Sequence, residues 1–90
     1  MSKINTQHVD ALSKLLLHTR GMASMKNLLR GLFTESEVEE FARRIEIVKM
    51  IKKDIPQHKI ALTLGVGVAT VTRGVREIKL GRFKNIWTNT

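Results

Sequence analysis

Apolar residues recur every three or four positions along most of the chain, which is the spacing that one face of an α-helix requires. Gly21 interrupts the first periodic stretch, and a glycine in a left-handed conformation commonly ends a helix. The pattern predicts three helices in the first half of the chain, over residues 6–18, 22–31 and 34–53.

The third helix has a clear start signal. In Thr34-Glu35-Ser36-Glu37 the threonine hydroxyl is placed to accept a free backbone N–H, and Glu37 is placed to reach back to another. Phe33 and Val38 flank this capping box at the two positions of a hydrophobic staple. The carboxylates of this helix come early and its lysines late, which suits the helix dipole. We therefore expect the helix to begin directly after Thr34.

The third helix is apolar on more than one side. Ile47 and Met50 lie off its main stripe, which consists of Val38, Phe41, Ala42, Ile45, Val48 and Ile51. Such a helix is usually buried on more than one side, and 90 residues provide little mass to cover it. We infer a homodimer with the first three helices in its interface. The alternative is a monomer whose N-terminal helices fold back over this surface.

A helix-turn-helix pattern follows. Pro56 ends the third helix, because proline lacks an N–H and crowds the preceding turn. Two short helices fit over 56–64 and 68–77, with Gly65 between them where a left-handed turn residue is needed. The small Ala61 falls where the two helices would cross closely. The apolar side of the pair consists of Ile60, Leu64, Val66, Val71, Val75 and Ile78. Helix-turn-helix units bind DNA but also dock on proteins, so both functions stay open here.

The charge of the chain favours DNA as the partner. Sixteen lysines and arginines against eight acidic residues give a formal charge of +8. Residues 1–47 hold seven basic and six acidic side chains, whereas residues 48–90 hold nine and two. The helix-turn-helix therefore lies in the basic half of the chain, and that half suits a polyanionic partner.

Several classes of protein are excluded by what the sequence lacks. Without cysteine it has no disulfide or thiolate metal site, and no histidines and carboxylates have metal-ligand spacing. No apolar run approaches the roughly 18 residues of a membrane span, and the N-terminus lacks the apolar stretch of a signal peptide. No P-loop or nucleophile elbow is present. We therefore expect no enzyme, no metal and no membrane partner.

Three segments resemble the tryptophan repressor family: LFT at 32–34, RRIEIV at 43–48 and, most specifically, LGVGVATVTRG at 64–74. The resemblance covers roughly residues 28–80. It implies a transcriptional repressor that binds double-stranded operator DNA, with L-tryptophan as corepressor and without a metal. Such a repressor controls genes of tryptophan metabolism and works in the bacterial cytoplasm.

The resemblance also implies an architecture. It is an all-α, single-domain, intertwined homodimer of about six short helices per chain. Dimerisation helices would span 1–53, the helix-turn-helix 55–78, and a C-terminal helix or tail 82–90. The apolar residues of that last segment are spaced as in one turn of a helix that packs on the partner subunit; they are Phe83, Ile86 and Trp87. The alternative is a frayed basic tail.

The resemblance assigns the charged part of an effector pocket. Arg44 matches the arginine that pairs with the ligand carboxylate, Thr34 matches the threonine beside it, and Arg73 matches the arginine that stacks on the indole. These roles suit arginine, which forms a bidentate clamp on a carboxylate and stacks on aromatic faces. Each residue also has a plain structural alternative. Thr34 can be only a helix cap, Arg44 a surface partner of Glu40, and Arg73 a phosphate contact.

Five further positions complete the implied pocket. Gly31 and Phe33 fall where backbone carbonyls receive the ligand amino group, and Val48 and Gly74 fall on the pocket wall. Glu77 departs from the family, because it stands where a serine helps to hold the ligand amino group. Its carboxylate would either bind an ammonium more strongly, or pair with one of the pocket arginines and close the pocket. The effector is thus tryptophan with altered affinity, another amino acid or an indole compound.

The DNA-contacting surface departs from the family at His58, which stands where an arginine contacts a guanine. Neutral histidine is shorter and offers one donor, so a different operator is expected, unless His58 is only a solvated polar residue. Small residues at the tip of the second helix let its backbone approach the groove, where N–H groups hold phosphate and methyl groups touch thymine. We expect shape and water-mediated readout to contribute. The expected contacts are His58, Lys59, Gly67, Val68, Ala69, Thr70, Thr72, Arg76 and Lys79.

Three functions remain open from the sequence. A repressor gated by L-tryptophan is favoured. The second is a DNA-binding regulator of the same fold that responds to another ligand or to none. The third is a basic helix-turn-helix adaptor that docks on other proteins.

Overall fold

The structure, a computed structural model, describes residues 6–87. Within these residues the chain is all-helical, as predicted, and the predicted bounds hold to within two residues. The five helices are α1 (Thr6–His18), α2 (Met22–Leu32), α3 (Glu35–Lys52), α4 (Gln57–Leu64) and α5 (Val68–Lys79). The chain divides into two compact units, Met1–Val38 and Glu39–Thr90, so the boundary falls inside α3.

The first unit contains α1, α2 and the first turn of α3, and none of its described residues is buried. Gly21 separates α1 from α2 with a φ of 84°, a value that glycine adopts at no steric cost. The apolar side chains of α1 remain open to solvent, and Leu17 is 82% exposed. Burial within one chain therefore contributes little to the stability of these two helices.

The predicted capping box at the start of α3 is confirmed. The N–H of Glu37 donates to Thr34 Oγ1 at 3.1 Å, and the N–H of Thr34 donates to Glu37 Oε1 at 2.9 Å. Two backbone donors that a helix start leaves without partners are thereby satisfied. The predicted staple between Phe33 and Val38 stays a prediction.

The second unit holds the buried core. Ile60 of α4 and Val71 of α5 are fully buried, and they pack with Ala61 and with Ile47 of α3. Partly buried side chains surround this cluster; they are Met50, Ile51, Ile55, Leu64 and Val66. Ile47 and Met50, which lie off the main stripe of α3, thus belong to the core shared with the helix-turn-helix. The second apolar side of α3 is covered by α4 and α5 of the same chain, which the sequence analysis did not anticipate.

Five helices are present among the described residues, where about six per chain were expected. Residues 80–87 form turns and bends. Gly81 and Asn85 have positive φ values of 86° and 67°, which reverse the chain where a helix would have to continue. The ammonium of Lys52 donates to the carbonyls of Phe83 and Ile86, at 2.7 and 3.0 Å. Residues 88–90 of the expected helix or tail lie outside the described residues.

Candidate functional site

The helix-turn-helix fixes which side of α5 faces the core. Val71 points inward against Ile60, and Gly65 ends α4 in the left-handed conformation with a φ of 67°. The N–H of Gly65 donates to the carbonyl of Ala61, so the turn is anchored at the point where the helices cross. The opposite side of α5 and its N-terminal turn therefore remain on the surface.

All nine predicted DNA contacts are exposed. Gly67 directly precedes α5 in an extended conformation, and no side chain caps the helix start. The open N–H groups of such a first turn suit a phosphate oxygen. Lys59, Arg76 and Lys79 form no ion pair with any residue in the described range, so their charges are available to a polyanion.

The structure adds one residue that the sequence analysis missed. Thr72 Oγ1 donates to Gln57 Oε1 at 2.9 Å, joining the first residue of α4 to α5 on the exposed side of the motif. With its carbonyl oxygen engaged, the Gln57 amide presents its N–H groups outward. The helix-turn-helix pattern could have indicated Gln57, because Gln57 and Thr72 both fall on the outer faces of the two crossing helices.

The predicted effector residues fall into both units. Gly31, Phe33 and Thr34 belong to the first unit, in which Thr34 serves as the helix cap. The remaining five lie in the second unit; they are Arg44, Val48, Arg73, Gly74 and Glu77. The helix-cap alternative for Thr34 is thus realised in the structure.

Arg44 is engaged on its own helix. Its Nη2 donates to Glu40 Oε2 at 2.6 Å, and its guanidinium carbon lies 5.8 Å from the centre of the Phe41 ring. Both charged side chains are about half exposed. Surface pairs of this i, i+4 type contribute only about 0.3–0.5 kcal/mol, so a ligand carboxylate meets a weak competitor for Arg44.

Gly74 is the point of close approach between α5 and α3. A Cβ on Gly74 would lie 3.0 Å from Ile47 Cγ2 and 3.2 Å from Ile51 Cδ1. Val48, one position along α3 from Ile47, is buried. Of the two predicted wall residues, Gly74 therefore lies where α5 and α3 are tightly packed. Arg73, next to Gly74, is exposed.

Glu77 pairs with neither Arg44 nor Arg73. Its Oε1 instead accepts a hydrogen bond from Nε of Arg82 at 3.3 Å. The sequence analysis had not considered Arg82 as a partner, because that residue lies beyond the expected end of α5. Its position depends on the turn at Gly81, which periodicity does not reveal.

Comparison with known proteins gives the family. The chain matches the model of the Trp repressor protein family over residues 7–86. It belongs to the Trp repressor family. The match extends beyond the region in which the sequence resemblance was evident.

Relatives of the Trp repressor family include the Trp operon repressor homolog of Vibrio vulnificus strain YJ016. It is 39% identical over 67 residues, which cover 73% of this chain and 66% of the relative. The Trp operon repressor homolog of Xylella fastidiosa strain 9a5c is 30% identical over 80 residues, covering 88% of this chain and 87% of the relative. The chain thus matches slightly less than two thirds of the Vibrio protein. No solved structure matches significantly.

Among residues 6–87, no helix is both long and apolar enough to span a bilayer. The same residues contain no group of histidines, cysteines and carboxylates arranged to hold a metal ion.

Proposed function

We propose that this chain represses transcription by binding double-stranded operator DNA in the bacterial cytoplasm, with L-tryptophan as corepressor, and that it controls genes of tryptophan metabolism. The observation that carries this proposal is the uncapped, exposed start of α5 on a helix-turn-helix. That motif lies in the half of the chain with nine basic and two acidic residues.

In the proposed complex the N-terminal turn of α5 enters the major groove. Gly67 and Ala69 keep the backbone close to the DNA, and Val68, which is 53% exposed, offers methyl groups to thymine. Thr70, Thr72 and His58 lie around this tip, while phosphates are bound by Lys59, Arg76 and Lys79. Gln57 joins these contacts through the amide that Thr72 holds in place.

The proposed effector couples α5 to α3. L-Tryptophan would place its carboxylate on Arg44 and its indole under Arg73, between the walls formed by Val48 and Gly74. Its amino group would face Glu77. The ligand contacts that the resemblance implies for Gly31, Phe33 and Thr34 stay predictions, since these residues belong to the other unit. The start of α5 buries little apolar surface, so we expect it to be mobile without ligand. The ligand would favour the orientation that fits successive major grooves, about 34 Å apart, by its higher affinity for that state.

We also propose a homodimer, because contact with successive major grooves requires two recognition helices, the α5 helix of each chain. Its support is the apolar surface that one chain leaves open on α1, α2 and α3, including Val9, Leu12, Leu15, Met22, Leu32, Val38 and Ile45. So many exposed apolar side chains on a small chain indicate an interface. Light scattering at micromolar concentration should give twice the chain mass, and a strictly monomeric species would exclude the dimer.

A gel shift tests the proposed function. A palindromic duplex is first selected from random DNA in the presence of L-tryptophan, and its retardation is then compared with and without the amino acid. A shift that requires L-tryptophan supports the proposal, and a shift without it indicates a ligand-independent regulator. Retardation of no duplex at low salt would indicate a protein-docking adaptor.

One observation favours the ligand-independent regulator as a second candidate. Two charged residues of the proposed pocket already have partners within the chain, Arg44 with Glu40 and Glu77 with Arg82. A chain in which these charges are already paired would need no ligand to pair them. The gel shift separates this candidate from the first.

A further inference from the structure

The segment that follows α5, residues 80–87, has a defined shape although it forms no helix. The backbone N–H groups of Arg82, Lys84 and Ile86 donate to carbonyls five, three and three positions earlier, and these bonds close successive turns. Gly81 and Asn85, with positive φ values of 86° and 67°, reverse the chain. The turn segment 80–87 is therefore ordered by its own backbone.

Side chains of α5 and α3 hold the two ends of the turn segment. At its beginning, Arg82 Nε donates to Glu77 Oε1 of α5 at 3.3 Å. At its other end, the ammonium of Lys52, the last residue of α3, donates to the carbonyls of Phe83 and Ile86 at 2.7 and 3.0 Å. The turn segment thus joins the C-terminal end of α5 to the C-terminal end of α3.

The indole of Trp87 adds a second contact with α3. Its ring centre lies 5.7 Å from the Lys49 ammonium and 5.8 Å from that of Lys52, within the range of a cation–π interaction. Lys49 and Lys52 are three positions apart and therefore neighbours on one side of the helix. One side of the last turn of α3 thus contacts both the carbonyls and the indole of the turn segment.

The recognition helix α5 is consequently attached to α3 at two points. The first is direct, at Gly74, where an added Cβ would lie 3.0 Å from Ile47 Cγ2. The second is indirect, through Lys52 and the turn segment beyond the end of α5. A helix that contacts its neighbour at one point can tilt about that point, whereas a second attachment opposes the tilt. The N-terminal turn of α5 lies on the other side of Gly74 from the turn segment, so it moves with any such tilt.

We propose that Lys52 is a positioning residue for DNA binding. By holding the turn segment against α3, it keeps α5 in the orientation that the DNA groove accepts while no effector is bound. This inference rests on the proposed DNA binding, but it does not require the proposed effector pocket. It gives Lys52 a role in DNA binding without a DNA contact of its own.

The physical basis is the order that DNA binding would otherwise have to create. If α5 samples several orientations, only the molecules in the accepted orientation bind DNA, and the apparent Kd rises in inverse proportion to their fraction. Hydrogen bonds from a charged donor restrict these orientations before DNA arrives. An effector that fixes α5 would have the same result, so Lys52 should matter most when no effector is bound.

Anisotropy titrations of the selected duplex without L-tryptophan test the proposal. Lys52→Met should weaken DNA binding about fivefold, the change expected from the net contribution of one hydrogen bond. Lys53→Met is the matched control, because it removes the adjacent charge, and the structure shows no hydrogen bond, ion pair or ring contact between that side chain and a described residue. It should weaken binding less than about twofold. Circular dichroism should show both variants folded like the parent.

The salt dependence separates positioning from a direct phosphate contact. Loss of one phosphate contact in each subunit would make the slope of log affinity against log salt concentration shallower by about 2 per dimer, whereas Lys52→Met should leave the slope unchanged. Where L-tryptophan strengthens DNA binding by the parent, saturating L-tryptophan should reduce the Lys52→Met loss to less than about twofold. An undiminished loss would indicate a general structural role and contradict the proposal.

Arg82→Met, at the beginning of the turn segment, provides a second variant. It should weaken DNA binding without L-tryptophan about threefold. Because both contacts hold the same segment, a variant with both substitutions should lose little more affinity than Lys52→Met alone. A loss equal to the product of the two single losses would mean that the contacts act independently, which would overturn the proposal.

The remaining outcomes separate this inference from the proposed function. Equal losses for Lys52→Met and Lys53→Met, or a shallower slope for Lys52→Met, would show that Lys52 acts only through its charge. Tighter DNA binding by Lys52→Met would show that the turn segment holds α5 away from the groove. If the parent binds the duplex without any response to L-tryptophan, the proposed effector fails, while the titrations without L-tryptophan still decide this inference. If the parent binds no duplex, the proposed function fails, and this inference fails with it.

Discussion

The absence of a side chain at Gly74 allows α5, the proposed recognition helix, to pack closely against α3. Because glycine has no Cβ, α5 approaches α3 so closely that an added Cβ at Gly74 would lie 3.0 Å from Ile47 Cγ2 and 3.2 Å from Ile51 Cδ1. Ile47 is 2% exposed and belongs to the core cluster, so it has little room to move. A side chain at position 74 requires Ile47 and Ile51 to move, or α5 and α3 to separate.

We predict that Gly74→Val lowers the free energy of unfolding by about 1–3 kcal/mol, the usual cost of adding methyl groups to a packed core. Urea denaturation at fixed protein concentration measures it. Gly31→Val is the matched control, because Gly31 is also helical and a Cβ there meets nothing within 4 Å. Equal effects of the two substitutions would show that the contact with Ile47 does not constrain α5.

At the scale of elements, Lys52 links the end of α3 to the chain after α5. Its ammonium donates to two carbonyls of the turn segment 80–87 and lies 5.8 Å from the centre of the Trp87 ring. Lys49 lies 5.7 Å from the same ring. The carbonyl of Ile86, and that of Phe83, which also accepts the N–H of Ile86, thus obtain a cationic donor. The indole lies against two ammonium groups.

We predict that Lys52→Met releases this segment, so that the fluorescence of Trp87 shifts to longer wavelength and acrylamide quenches it more strongly. Trp87 is the only tryptophan, so the signal has one source. Lys53→Met is the control, because the structure shows no hydrogen bond, ion pair or ring contact between the side chain of this adjacent lysine and a described residue. It should leave emission and quenching unchanged. An unchanged spectrum for Lys52→Met would mean that Lys52 does not hold the segment.

At the scale of the whole molecule, charge and apolar surface are separated along the chain. The half that contains the helix-turn-helix carries nine basic and two acidic side chains, while the open apolar residues of α1 and α2 lie in the other half. Such a chain is arranged to associate with its own copy through one half and with a polyanion through the other.

The salt dependence of DNA binding reports this arrangement directly. If each dimer neutralises about eight phosphates, log affinity should fall with log salt concentration at a slope of roughly −7. Fluorescence anisotropy of a labelled duplex measures this slope when the salt concentration is varied from about 50 to about 200 mM. A slope shallower than about −3 on the selected operator would mean that the basic half is not a DNA-binding surface.

Local signals in the sequence predicted most of the fold. Thr34 and Glu37, Pro56 and Gly65 mark helix starts and breaks by their own chemistry, and the structure places all of them as expected. The candidate site was harder to predict from the sequence, because contacts between distant parts of the chain determine the positions of its side chains. The pairing of Glu77 with Arg82 depends on a turn geometry at Gly81 that no periodicity encodes. The bond between Gln57 and Thr72 joins residues 15 positions apart.

The C-terminal segment also shows how tertiary contacts limit prediction from the sequence. The spacing of Phe83, Ile86 and Trp87 is that of a helical turn, yet the described residues form turns there. Left-handed residues and the distant ammonium of Lys52 determine the conformation of that segment. Helical periodicity over so few residues is a weak signal when tertiary hydrogen bonds compete with it.

The most direct test of the account is reciprocal coupling between L-tryptophan and operator DNA. Anisotropy titrations of the selected duplex give the DNA affinity with and without L-tryptophan, and calorimetry gives the L-tryptophan affinity with and without DNA. We predict that each ligand raises the affinity for the other by the same factor, about tenfold or more. Arg44→Leu should abolish both effects while the dimer stays folded. DNA affinity that is the same at every L-tryptophan concentration would contradict the account.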